Sequence, residues 1–153
     1  KDVLSEREEA LAAALAAMKT RKKKLVDPLQ YEMSIQAEDL ANYVPSFGWE
    51  MAPPSDKQKE ALEHMGIDPD EIGSAGKASL LFDRISARRA EGLTTPKQIR
   101  FLEGKGFQHV GTWDFDHARK LIDRIAGNNW RVPNGIVPES YLPPPITNHF
   151  DFV

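Results

Sequence analysis

The sequence predicts an all-α fold, a duplicated helix-loop-helix unit forming a small four-helix module, preceded by a long N-terminal helix and a linker. Three observations predict it. Residues 4–25 are dominated by Ala, Leu, Glu and Lys, the strongest helix formers. Residues 55–85 recur as residues 95–125 at a constant offset of 40 with ten identities, among them Lys57 and Lys97, Gln58 and Gln98, Gly66 and Gly106, and Asp83-Arg84-Ile85 and Asp123-Arg124-Ile125. The apolar positions in both copies follow helical spacing, and no alternating run is long enough for a sheet.

The first helix is expected over Leu4 to Leu25, with Ser5 as N-cap, acids in its first turn and cations in its last. Leu4, Leu11, Leu15, Met18 and Leu25 form a narrow stripe suited to packing on another helix or on a partner. The cluster Lys19, Arg21, Lys22, Lys23 and Lys24 suits a solvated, dipole-matched helix end; holding phosphate is the alternative. A second amphipathic segment follows Asp27-Pro28, about Leu29 to Asn42, and then a proline-rich linker in which Tyr43, Phe47 and Trp49 are expected to cover apolar surface.

In the first repeat, about 55–92, Ser55 caps a short helix closed by Gly66, and Ser74 caps a longer one running to Gly92. In the second, about 95–132, Thr95 caps with Pro96 at the first helical position, Gly106 closes, and Asp114 caps a helix reaching about Asn128. Leu62, Met65, Leu81, Phe82, Ile85, Phe101, Leu102, Leu121, Ile122 and Ile125 are core positions, with Phe107, Val110, Trp113 and Trp130 completing the core. The expected boundaries are therefore 1–54 for the basic helix, second short helix and linker, 55–135 for the helical module, and 136–153 for an irregular, proline-rich tail.

Composition narrows the function. The 153 residues include no cysteine, which excludes disulfides, thiolate metal sites and cysteine nucleophiles. No stretch approaches the ~20 apolar residues of a membrane span, so a cytoplasmic protein without a membrane partner is expected. Lys at position 1 suggests a piece of a longer protein. The net charge of -3 conceals a division. Residues 25–74 hold eleven acids and two lysines, whereas residues 75–135 hold eleven Lys and Arg against six acids.

No catalytic constellation is present. Gly73-Ser-Ala-Gly-Lys77 lacks the spacing of a phosphate loop, and the four histidines lack metal-ligand spacing, so no metal and no cofactor are implied. The better candidates are basic. Lys97, Gln98 and Arg100 stand at a helix N-terminus that favours phosphate, and Lys105, Arg88, Arg89, Arg119 and Lys120 extend a possible stripe along a nucleic-acid backbone. Arg84 and Arg124 are better read as structural, each paired with the aspartate before it.

Several blocks carry a family resemblance: Pro54-Ser-Asp-Lys-Gln58, Gly66-Ile-Asp-Pro69, Ala78-Ser-Leu-Leu81, Arg88-Arg-Ala-Glu-Gly92, Thr95-Pro-Lys-Gln-Ile-Arg100, Val110-Gly-Thr-Trp113 and Asn129-Trp-Arg-Val-Pro133. The stretch from Pro53 to Ile136 resembles the C-terminal accessory region of DEAD/DEAH-box (superfamily 2) helicases of bacterial and phage-like mobile elements. The basic N-terminal helix with Asp27-Pro28-Leu29 looks like the segment joining that region to the motor. The resemblance implies a non-catalytic module that binds DNA or positions it for the motor, with DNA and the motor domains as partners. The motor's ATPase motifs have no counterpart here, so ATP hydrolysis is implied for the parent alone. The alternative is a protein-interaction module using the apolar stripe of the first helix and the aromatics Tyr43, Phe47 and Trp49.

Overall fold

A computed structural model describes residues 3–144; of Met18, Arg21, Lys22 and Lys23 it describes the backbone only. Among the described residues the fold is all-α, with seven helices, α1 (Val3–Lys23), α2 (Pro28–Ser34), α3 (Glu38–Ala41), α4 (Asp56–His64), α5 (Ala75–Ala90), α6 (Pro96–Gly104) and α7 (Phe115–Gly127). Among the described residues extended pairing is limited to two isolated bridges, Val26 with Ile67 and Leu93 with Asp114.

The starts of α2, α4, α5, α6 and α7 each follow from a residue that satisfies otherwise orphaned amides. Asp27 accepts from the Gln30 amide and Pro28 occupies the first turn of α2. Ser55 with Gln58 and Thr95 with Gln98 form reciprocal capping boxes at α4 and α6. Ser74 and Asp114 accept from the Lys77 and His117 amides at α5 and α7. Several contacts recur forty residues apart. Gln58 Nε2 donates to the Ala75 carbonyl at 3.1 Å and Gln98 Nε2 to the Phe115 carbonyl at 3.3 Å. The Ile67 amide bonds Leu62 at 3.0 Å and the Phe107 amide bonds Leu102 at 3.1 Å.

The segment expected as helix and linker is different. Gln36 adopts a left-handed conformation (φ 58°) and breaks the single amphipathic stretch into α2 and α3. These two short helices are structural. Helix α2 packs on α6 and on the 3-10 turn Val110–Thr112, while α3 packs on α5. Val26, Tyr31, Ala37 and Leu40 are buried in the same cluster as Leu62, Leu81, Ile99, Leu102, Leu121 and Ile125. The core thus begins near Val26 and not at Ser55, because the two helix pairs leave an apolar seam that α2 and α3 fill.

Polar groups cross that seam. The Ser34 hydroxyl donates to Glu103 at 2.6 Å and accepts from the Gly111 amide at 3.1 Å. Arg88 donates to the Thr94 hydroxyl at 3.1 Å and to the Gly111 carbonyl at 2.7 Å, and the Thr94 hydroxyl donates to the Val110 carbonyl at 2.9 Å. Burial pushes the Tyr31 phenol up, partly offset by the charge of Arg88 beside it. Lys77 pairs with buried Glu32 at 2.8 Å and donates to the Leu40 carbonyl. Arg84 is structural as expected, but its partner is Asp39 of α3, whose carboxyl the guanidinium's hydrogen bond holds below the usual range. Asp123 pairs with Arg119, one turn back on α7.

Helix α1 stands apart from the core, with Leu4, Leu11 and Leu15 exposed and Leu25 half-buried; Met18 of the expected stripe is outside the described side chains. Two further expectations are corrected. Tyr43 packs onto α5, its hydroxyl donating to Glu50 at 3.0 Å, but Phe47 (75% exposed) and Trp49 (63%) stand in solvent because Gly48 at φ 63° turns the chain outward. Trp130 and Phe82 are also outside the core, at 58% and 39% exposure. The described part of the tail, Ile136 to Pro144, is irregular apart from the 3-10 turn Pro138–Ser140, and Tyr141 inserts among Phe107, Trp113 and His117. Residues 145–153 of the expected tail lie outside the described residues.

Candidate nucleic-acid interface

Helix α6 places the principal cations. Pro96 and the Thr95–Gln98 box fix its first turn, and Lys97 then projects from the second helical position. Gly66 (φ 96°) sets the depth of the adjoining loop, since a Cβ there would stand 2.8 Å from Lys97 Cγ. The aliphatic stem of Lys97 lies on that bare backbone and its ammonium reaches solvent. Gly66→Ala is expected to cost about 1–2 kcal/mol, from the left-handed backbone and the crowded lysine stem, lowering the thermal midpoint by roughly 3–6 °C.

Lys97 and Arg100 line a groove of about 740 Å³ together with Lys24, His64, Glu60 and Glu63. Lys97 and His64 also line a smaller adjoining hollow of about 310 Å³ whose far wall carries Arg89. Lys24, Lys97 and Arg100 thus line the larger depression, and Lys97 and His64 are shared with the smaller one, which Arg89 lines. Glu60 and Glu63 of α4 line the larger depression with its cations.

The other expected contacts are placed elsewhere. Arg88 (8% exposed) and Gln98 (8%) are buried, the first consumed by Thr94 and Gly111 and the second by the α6 cap and the Phe115 carbonyl, so neither reaches a phosphate. Lys105 is half-buried; its ammonium donates to the Trp130 carbonyl at 2.8 Å and lies 5.7 Å from the Phe101 ring centroid. Arg119 is exposed and shared between Asp116 and Asp123, and Lys120 is exposed beside it on α7, both outside the two depressions. Arg21, Lys22 and Lys23 lie outside the described side chains.

Lys24 was not legible as a site residue, nor was the exposure of Trp130, which lines neither depression. Lys24 belonged to a charge run with no feature to distinguish one lysine from the next; the turn at Leu25-Val26, pinned by the Val26 amide on the Gly66 carbonyl at 2.7 Å, selects it. Trp130 followed an apolar helix and had the composition of a core residue. The signal that could have found it is Asn128-Asn129, since asparagine tolerates the left-handed backbone that turns the following residue outward.

The chain matches no protein-family model, no curated protein and no solved structure. The groove's own chemistry therefore carries the functional reading. Among the described residues no group of three or more His, Asp or Glu is arranged to hold a metal ion, and no helix is long and apolar enough to cross a membrane.

Proposed function

We propose that this chain is a non-catalytic, DNA-binding module of an ATP-dependent helicase of a mobile element, acting in the cytoplasm and holding nucleic acid for the parent's motor domains. The observation that supports it best is that Lys24, Lys97 and Arg100 line one groove, with Arg89 in a second hollow that shares Lys97, in a chain whose overall charge is negative. Local cations against an acidic average mark where an anionic polymer would dock. The helicase context rests on the sequence blocks that resemble helicase accessory regions.

Fluorescence anisotropy with single-stranded, duplex and forked DNA at two salt concentrations tests the reading. Each phosphate neutralised contributes about 0.9 to the log-log salt slope on a duplex, so three or four contacts give a slope of roughly -3. The pair Lys97→Glu with Arg100→Glu is expected to abolish binding at moderate salt while leaving the helical circular dichroism unchanged. Absence of wild-type binding at low salt would overturn the proposal.

A second reading, a protein-interaction module, is favoured by one observation: Val44, Phe47, Trp49 and Met51 are all exposed on one short segment. Under that reading Phe47→Ala with Trp49→Ala removes partner capture by the motor domains, and the groove charge reversal leaves it intact.

A further inference from the structure

We propose that Trp130 is a base-stacking platform that gives the α6 surface a preference for single-stranded nucleic acid over duplex; this rests on the reading of that surface as a nucleic-acid site.

The geometry around Trp130 is unusual for a helix end. Asn129 (φ 57°) and Trp130 (φ 62°) are consecutive non-glycine residues in the left-handed region. Asparagine is tolerated there, but a bulky aromatic is strained, and glycine would release the strain. The surrounding structure holds the conformation. The Trp130 amide bonds the Ile125 carbonyl at 2.9 Å, Asn128 Nδ2 donates to the Arg131 carbonyl at 3.0 Å, and Lys105 Nζ donates to the Trp130 carbonyl at 2.8 Å. The strained turn delivers a largely exposed indole to the surface. Backbone strain retained to expose an apolar ring points to a role outside folding.

The neighbours of the indole specify the ligand. Phe101 approaches it at 6.0 Å with the rings at 75°, so the contact is edge to face and the two rings are not stacked on one another. Lys97, Phe101 and Lys105 lie four residues apart along α6 and so share one face, and Arg131 follows Trp130 directly. Trp130 lies against Phe101, one turn along α6 from Lys97 of the groove, with exposed Arg131 beside it, so a strand leaving the groove along α6 would meet the indole. Unpaired bases offer open faces to such a ring, whereas bases inside a duplex are already stacked on each other.

The test compares oligo(dT), oligo(rU) and a duplex of equal length by anisotropy, on the wild type and on Trp130→Ala, Trp130→Phe and the Lys97→Glu with Arg100→Glu pair. Trp130→Ala is expected to weaken single-strand binding by about 5- to 150-fold, the range of one base stack, with Trp130→Phe close to wild type and duplex binding unchanged. A Trp49→Phe chain supplies a readout independent of any Trp130 substitution. It leaves Trp130 and the buried Trp113, so oligo(dT) should quench the exposed indole's emission on binding. Binding without quenching overturns the stacking role, as does an equal loss of single-strand and duplex affinity in Trp130→Ala, which would mark Trp130 as merely structural. If Trp130→Ala binds like wild type while the charge-reversed pair binds nothing, the stacking inference fails and the phosphate reading stands. If the wild type binds no nucleic acid, both fail; quenching by an acidic peptide with none by oligo(dT) assigns the surface to a protein instead.

Discussion

Replacing Gly111 with valine is expected to destabilise the protein by about 3 kcal/mol or more, a fall of roughly 10 °C in thermal midpoint. The reason is backbone against backbone. A Cβ built at Gly111 would stand 2.3 Å from the Ser34 carbonyl oxygen, 2.5 Å from its carbon and 2.7 Å from the Ile35 nitrogen. These atoms form the end of α2, and no side-chain rotation relieves the clash. Separation of the segments would also stretch the bond from the Gly111 amide to Ser34 and the one from Arg88 to the Gly111 carbonyl. Gly111→Ala should already show most of the loss. Gly104 is the control: it lies at the end of α6 with open space where a Cβ would go, so Gly104→Ala should be neutral or gain about 0.5–1 kcal/mol. Urea unfolding of the three variants measures the difference, and equal stability for Gly111→Val and wild type would remove the claim that α2 is locked against the second helix pair.

Arg88→Ala is the second large effect, with an expected loss of about 3–4 kcal/mol. Arg88 is buried and its guanidinium serves the Thr94 hydroxyl and two carbonyls, Thr94 and Gly111, joining α5 to the loop after α6. Charge-assisted hydrogen bonds of this kind contribute roughly 1.5–3 kcal/mol each, and their removal leaves buried oxygens unsatisfied. All of these bonds leave one guanidinium nitrogen, Nη2. Arg89, the next residue, is exposed, and Arg89→Ala should change stability by less than about 0.5 kcal/mol while weakening nucleic-acid binding. Adjacent arginines thus give opposite results: denaturation reads one and anisotropy the other.

The same pair explains how far the site was legible. Arg88-Arg89 is a pair of cations of which the spacing Leu81, Ile85, Arg88 puts the first on the buried face of α5. What local spacing does not show is its partners, Thr94 and Gly111, which the fold brings to its guanidinium. Lys97 and Arg100 could be placed at a helix N-terminus from Thr95-Pro96, because a capping box and a first-turn proline are local chemistry. Gln98 carried the same local chemistry to a different end: as the third residue of the box it turns back on Thr95 and is unavailable to a ligand. Trp130 shows the limit from the other side. Its apolar ring suits a core, and only the left-handed turn after α7 sends it outward.

The sequence by itself determined the all-α class, the starts of α4, α5, α6 and α7, and the core positions shared by the helix pairs. Those features depend on contacts within a few residues: side-chain oxygens capping nearby amides, glycines closing helices at positive φ, and apolar residues spaced at the helical period. Only the tertiary structure decided that residues 26–41 belong to the core, that Arg88 meets Thr94 and Gly111, and that Lys24 joins Lys97 and Arg100. These outcomes depend on contacts between distant parts of the chain, such as Ser34 with Glu103 and Arg84 with Asp39, which no local pattern encodes. A buried charge and an exposed one have the same letter in the sequence; the difference is the desolvation that packing imposes.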